Sequence, residues 1–259
     1  MEHWAIAVFL FTVGISFGSF LNVCIHRFPR EESIIKPGSH CPECKKSILW
    51  YDNIPILSFL LLRAKCRHCD AKIAPRYFFM ELTSGVLWVV LWKFYGLSWF
   101  FTGAVILCSI LLAVSVTDLE TGLIPDEFTF FGIAAGLFLS VAHPEMLGGT
   151  DWTGGVKQAA LGLVTGGGIL WLTGILGKFL FRKDSMGGGD VKLLAMLGVF
   201  LGITKVILVY FLAPVLALPV ALYLKWTHKS EIVLYGPYLA AAGVCLFLWG
   251  DWIVWFIYH

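Results

Sequence analysis

From residue 4 to residue 257 the chain is a succession of apolar runs, with short polar interruptions and one long one at 26–76. About 20 mainly apolar residues cross a bilayer as a helix. The runs fall at 4–25, about 77–92, 97–117, 128–142, 156–181, 191–226 and 232–257. The run 191–226 is long enough for two short spans that turn at Gly202-Ile203-Thr204-Lys205, which makes eight spans in all. Pro214 and Pro219 within it predict a kinked helix rather than a loop. Charged residues make up 14% of the chain, against roughly a quarter in a soluble domain. The expected fold class is therefore an all-α polytopic membrane protein of about eight transmembrane helices. The net charge of +2 gives no reason to expect a nucleic-acid partner. The first run starts at Trp4 without a basic region before it, and reads as a retained span rather than a cleaved signal.

Lysine and arginine placement orients the spans. Ten lie in 26–76, so that segment is expected in the cytoplasm. Alternation then brings Lys178, Arg182, Lys183, Lys192, Lys225 and Lys229 to the same side. Lys93, Lys157 and Lys205 are left outside, so 16 of the 19 basic residues lie within. Both termini are expected outside, and Asp118 and Asp190 both come to the cytoplasmic side.

The long polar segment carries Cys41-Pro42-Glu43-Cys44 and Cys66-Arg67-His68-Cys69. Two C-x-x-C pairs at this separation are the pattern of a four-cysteine zinc site, each pair aiming two thiolates at one ion. Two disulfides are the rival reading, which a reducing cytoplasm argues against; a redox role comes third. Four thiolates leave no open position for water, so the expected metal is structural. His40 and His68 are surplus to this set. Cys24, Cys108 and Cys245 lie in apolar runs, as small buried hydrophobes do.

Asp190 follows Gly187-Gly188-Gly189 at the edge of an apolar run, and Asp118 closes the run ending at Val116. Either acid alone reads as a polar end to a span or as part of a helix start. Around Asp118 the stretch to Pro125 reads as a short loop, with Asp126 as N-cap of the next helix and Glu127 an ordinary loop residue. Together the two acids read differently, because carboxylates that share one site cannot both ionise cheaply, so the pair holds one proton. The ionised member can take a proton from water while the neutral one polarises a carbonyl, which is amide hydrolysis without a metal. The residues leave open which aspartate is the base. Glycines at 187, 188 and 189 give clearance for an extended peptide beside Asp190.

The ordered set of motifs resembles the type IV prepilin peptidases, intramembrane aspartic proteases with a G-x-G-D element. It comprises Gly18-Ser19-Phe20-Leu21-Asn22-Val23 with Arg27, the two cysteine pairs, and Pro75-Arg76-Tyr77 with Glu81. It continues through Asp118 with Ile124-Pro125-Asp126, Gly187 to Lys192, and Tyr235-Gly236-Pro237-Tyr238, where Tyr precedes the Gly in place of the more common Phe. The resemblance implies a multi-pass protein of the bacterial inner membrane with Asp118 and Asp190 as the catalytic pair. Its substrates would be type IV prepilins and the pseudopilins of type II secretion, cut after a glycine on the cytoplasmic side. It also implies N-methylation of the new terminus with S-adenosylmethionine, an activity of the N-terminal half. No strand-then-glycine nucleotide fingerprint accompanies that activity, and the Gly162–Gly168 cluster reads as close helix packing.

Glu81 is the better lead for methyl transfer, holding a substrate amine or a cofactor ammonium; an ion pair with Arg76 is the alternative. Asn22 is either a helix-packing residue or a substrate contact. Glu120, Asp126, Glu127 and Asp184 could attract a basic leader. The organisation expected is a first span at 1–25, a zinc-binding loop at 26–76, and a membrane domain at 77–259 carrying the peptidase site. Two other functions stay open: a peptidase whose cysteine loop only supports the fold, and an ion-coupled transporter or scaffold.

Overall fold

A computed structural model describes residues 2–181, 186–227 and 233–258. Arg182, Lys183, Asp184 and Lys229, used above for orientation or substrate attraction, lie outside the described residues. Among the described residues the architecture is helical: α1 Glu2–Arg27, α2 Leu57–Leu61, α3 Pro75–Tyr95, α4 Trp99–Thr121, α5 Asp126–Ala142, α6 Trp152–Phe181, α7 Gly188–Trp226 and α8 Gly236–Tyr258. Six of these are long and apolar enough to cross a membrane. The chain forms two compact units, Met1–Phe101 and Thr102–His259.

In the first unit α1 packs on α3 through small residues. A Cβ on Gly14 would lie 2.9 Å from the Gly85 Cα, and one on Gly18 would lie 2.8 Å from the Ser84 Cβ. Four-residue spacing of Gly14 and Gly18 puts both on one face of α1, so the backbones approach closely. Arg27 ends α1, and its buried guanidinium donates to the carbonyls of Ser33 and Pro37 at 2.7 and 2.6 Å. These bonds fix the direction in which the polar segment leaves the helix.

The core of the second unit is the start of α7. Residues 193–202 are all buried, and the arm is apolar on every side, as a central helix is. Gly132 and Gly136 of α5 receive Met196 and Val199. Gly162 of α6 faces the Gly198 carbonyl, and Gly243 of α8 receives the Leu197 side chain.

Run straight, the 39 residues of α7 would span about 58 Å, twice the roughly 30 Å hydrocarbon layer. The helix breaks at Gly202, with φ 72° and ψ −177°. A Cβ on Gly166 would meet both Leu194 and Val206, with the Leu194 carbonyl carbon and the Val206 Cγ2 each 3.0 Å away. These residues would stand about 18 Å apart on a straight helix, so α7 doubles back into two arms at the expected turn. Pro214 and Pro219 lie inside the second arm, and the non-helical residue is Gly202. Among the described residues, six helices are long and apolar enough to span; the second arm of α7 and the shorter, 17-residue α5 bring the apolar helical segments to eight.

The Gly162–Gly198 crossing leaves no room for side chains. Gly162→Leu is expected to cost about 1–3 kcal/mol through overpacking, measured as a lowered unfolding midpoint in detergent. An unchanged midpoint would refute the close approach.

Candidate active site and metal centre

The first turn of a helix has amide N–H groups with no partner inside the helix. At α7 the N-cap is Gly187, in extended conformation (φ −73°, ψ 141°), and Asp190 is three residues on. An acid at this position can reach back to the N-cap amide, and the Asp190 carboxylate does accept from the Gly187 N–H. At α8 the first residue is Gly236 and the next is Pro237, which has no N–H. The Gly236 amide donates to Asp118 Oδ2 at 3.1 Å across 118 positions of sequence. Each aspartate thus answers a helix N-terminus, where negative charge is favoured.

Asp118 is 5% exposed and belongs to the last turn of α4, which runs on to Thr121. The expected loop is therefore shorter, beginning at Gly122 with φ +67°. Asp190 is half-buried, and the Asp118 charge is near enough to act on its carboxylate. Tyr235 lies at the same place. Partial burial, then the Asp190 charge, pushes its phenol up to about 12.

Ile124 keeps these segments in register. Its side chain packs where Gly189 and Gly236 have no Cβ; the two Cβ positions would lie 2.8 and 3.2 Å from it. Packing thus accounts for Gly189. Gly188 faces open space, and Gly187 stands over the Asp190 carboxylate. A Cβ on Gly236 would lie 2.7 Å from Asp118 Oδ2. The N-cap of α5 is Pro125, not Asp126. Asp126 instead takes the Lys192 ammonium at 2.6 and 2.7 Å, a tie between the α4–α5 loop and α7. Ile124, Lys192 and Gly236 all stand in recognisable motifs, but their contacts are too distant in sequence for spacing to show.

In the first unit the four cysteine sulfurs lie within 4.8 Å of one another. None is in a disulfide, and Cys41 Sγ and Cys69 Sγ are 3.8 Å apart. A tetrahedral zinc with bonds of about 2.3 Å would separate its sulfurs by roughly 3.8 Å, so the residues fit such an ion. Each knuckle closes in the same way. Cys41 N–H donates to the Lys46 carbonyl and Lys45 N–H to that of Cys41. Cys66 with Ala71, and Asp70 with Cys66, repeat the pair. Arg67 grips Asp52 through two bonds of 2.5 and 2.7 Å, tying the second knuckle to the turn Trp50–Asn53 and holding the Asp52 carboxyl below its usual range.

The amides of His68 and Cys69 favour a thiolate at Cys66 and lower it to about 7. At Cys69 the Ala71 amide acts in the same direction, but desolvation and the neighbouring sulfurs together push it up to about 12.

Glu81 is buried, and Oε2 accepts from the Ile56 N–H at 2.7 Å. The Ser19 hydroxyl is a second neutral donor. Asn22 donates to the Tyr77 carbonyl at 3.2 Å, and its Oδ1 is buried without a partner. The Arg76 guanidinium lies 4.9 Å from the centre of the Tyr77 ring.

Residues 12–95 match the bacterial peptidase A24 N-terminal domain, and residues 105–222 match the type IV leader peptidase family. A prepilin leader peptidase/N-methyltransferase of Neisseria gonorrhoeae is 34% identical, with 95% of this chain and 93% of that protein aligned. The chain belongs to the type IV leader peptidase family. A second member of this peptidase family, from Aeromonas hydrophila and of the same name, is 35% identical over 96% of this chain and 92% of its own length. No solved structure matches significantly. The first family match holds the four cysteines and the second holds both aspartates.

Metal-free protein at pH 7–8 is expected to alkylate at Cys66 ahead of Cys69, because the His68 and Cys69 amides favour the thiolate at Cys66. Peptide mass mapping after brief iodoacetamide treatment reads the order. Equal or reversed labelling would contradict it.

Proposed function

We propose that this chain is a bacterial inner-membrane enzyme that removes the leader of type IV prepilins and type II pseudopilins after a glycine, then N-methylates the new terminus. The observation that carries the peptidase reading is the meeting of Asp118 and Asp190 at two helix starts, with the open Gly188 beside them. In this reading one carboxylate takes a proton from water as the water oxygen attacks the scissile carbonyl. The other donates a hydrogen bond to the carbonyl oxygen. The C–N bond then breaks and the leaving amine receives a proton. Gly187 and Gly188 leave the substrate backbone room beside Asp190, while Gly189 is occupied by Ile124.

The excess of basic residues in 26–76 and beside Asp190 supports a cytoplasmic site with both termini periplasmic. In this proposal the first unit carries methyl transfer and the second carries cleavage. The relatives' name pairs the two activities, and S-adenosylmethionine is the methyl donor we propose. The sulfur spacing and the absence of an open coordination position support a structural zinc on Cys41, Cys44, Cys66 and Cys69. Asn22, Glu81 and Arg76 gather at one end of the α1–α3 pair. The unpartnered Asn22 Oδ1 is the acceptor there that a substrate amine or donor ammonium would take.

Asp118→Asn and Asp190→Asn are each expected to lower prepilin cleavage by about 10²–10⁴-fold, the range for loss of a general acid or base. Near-normal cleavage in either folded variant would overturn the mechanism. Metal analysis is expected to find one zinc per chain, and Cys41→Ser to lose the zinc, melt earlier and methylate less. If a product made with S-adenosylmethionine never gains a methyl mass, the enzyme is a peptidase alone.

A further inference from the structure

The segment between the cysteine pairs exposes an apolar surface that neither cleavage nor metal binding uses. Trp50 is 80% exposed, Leu60 58% and Leu61 73%, and Ile54 and Leu57 are exposed beside them. In bulk water such a patch would be costly. Its depth relative to α3 gives it another setting.

Helix α3 has 21 residues, about 31 Å of helix against a hydrocarbon layer of about 30 Å. It therefore has no spare turn to stand clear of the bilayer. Glu81 lies six residues inside it, yet holds the amide of Ile56, the residue before α2. Glu81 leans back toward the N-terminus as helical side chains do, but Ile56 still comes alongside the first turns of the span. Phe59 of α2 also packs on Phe78 in the first turn of α3, with ring centres 5.3 Å apart. Two independent contacts thus put α2 at the level where a membrane span begins. Phe79, exposed on α3, continues the apolar surface into the lipid-facing side of that span.

Basic residues follow directly. A shallow cavity of about 370 Å³ combines Leu61 and Leu62 with Arg63, Lys65, Arg67 and Asp70. A second, of about 280 Å³, sets Arg63, Lys65 and Lys72 beside Ile73 and Pro75. Arg67 is engaged by Asp52, which leaves Arg63, Lys65 and Lys72 as the cations that face outward at this level. Apolar side chains at one depth and lysines and arginines just beyond form the pattern of a segment lying in the membrane interface, with its charges on anionic headgroups.

We propose that residues 54–65 form an interfacial anchor. Leu57, Leu60 and Leu61 enter the acyl boundary of the leaflet, and Arg63, Lys65 and Lys72 bind its anionic lipid headgroups. The occupant is the bilayer's own anionic lipid, chosen because the patch is continuous with a span and its charge complements such a surface. The anchor holds the four-cysteine centre at a fixed height above the membrane.

The test uses the full-length protein in nanodiscs of phosphatidylcholine, with or without phosphatidylglycerol. Amide hydrogen exchange of 54–65 is expected to slow on adding phosphatidylglycerol, by about fivefold per basic residue engaged. A phosphatidylglycerol with a photoactivatable acyl chain is expected to label 57–61. Arg63→Glu with Lys65→Glu should abolish the dependence on anionic lipid, and Leu60→Glu with Leu61→Glu should abolish the labelling. Exchange that is equal in both nanodiscs, or acyl labelling confined to the spans, overturns the proposal. So does protection that comes only from an added apolar helical peptide. The wild-type comparison needs no variant, and none of its readouts depends on prepilin cleavage.

Discussion

Two helix N-termini come together around Ile124, each with amide groups that its own helix cannot satisfy. A buried amide left without a partner costs about 1–3 kcal/mol in a protein. An unpaired carboxylate costs more. Asp190 answers the start of α7 and Asp118 the start of α8, so one pair of contacts satisfies both. The donors are glycine amides, and at Gly236 any side chain would displace the carboxylate it serves. The rest of the second unit follows from holding these ends together: the Ile124 wedge, the Lys192–Asp126 tie, and glycine faces on α5, α6 and α8 around the buried arm of α7.

Much of this was legible in sequence because membrane helices declare themselves by composition. The apolar runs gave the helices and even the turn at Gly202. The cysteine spacing gave a cluster whose sulfurs lie at zinc-like distances. The two aspartates stood out because an acid beside an apolar run needs a reason. What remained hidden depends on partners distant in the chain. No local pattern says that Gly236 caps with Asp118, that Asp126 leaves its own helix start to meet Lys192, or that Glu81 holds a loop amide. Helix α4 also outruns its apolar stretch, since it continues through Glu120 and Thr121 after the apolar run has ended, and this puts Asp118 on a helical turn rather than a loop.

The first unit solves a different problem. A polar segment of some fifty residues has too little core to order itself. Its order comes from a few strong ties: the Arg27 guanidinium on backbone carbonyls, the Arg67–Asp52 pair, and two knuckles closed by the same hydrogen-bond pattern. Sulfurs gathered by such ties are ready for an ion, which would then supply the cohesion that a hydrophobic core supplies elsewhere.

The Asp118–Gly236 bond also sets an order in time. Everything else that shapes the pair, from α4 to the first arm of α7, precedes α8 in the chain and leaves the ribosome before it. Until α8 enters the membrane, Asp118 lacks its amide donor and Leu197 lacks the groove at Gly243. Through the synthesis of every earlier helix Asp118 therefore waits for the one that delivers a single backbone hydrogen.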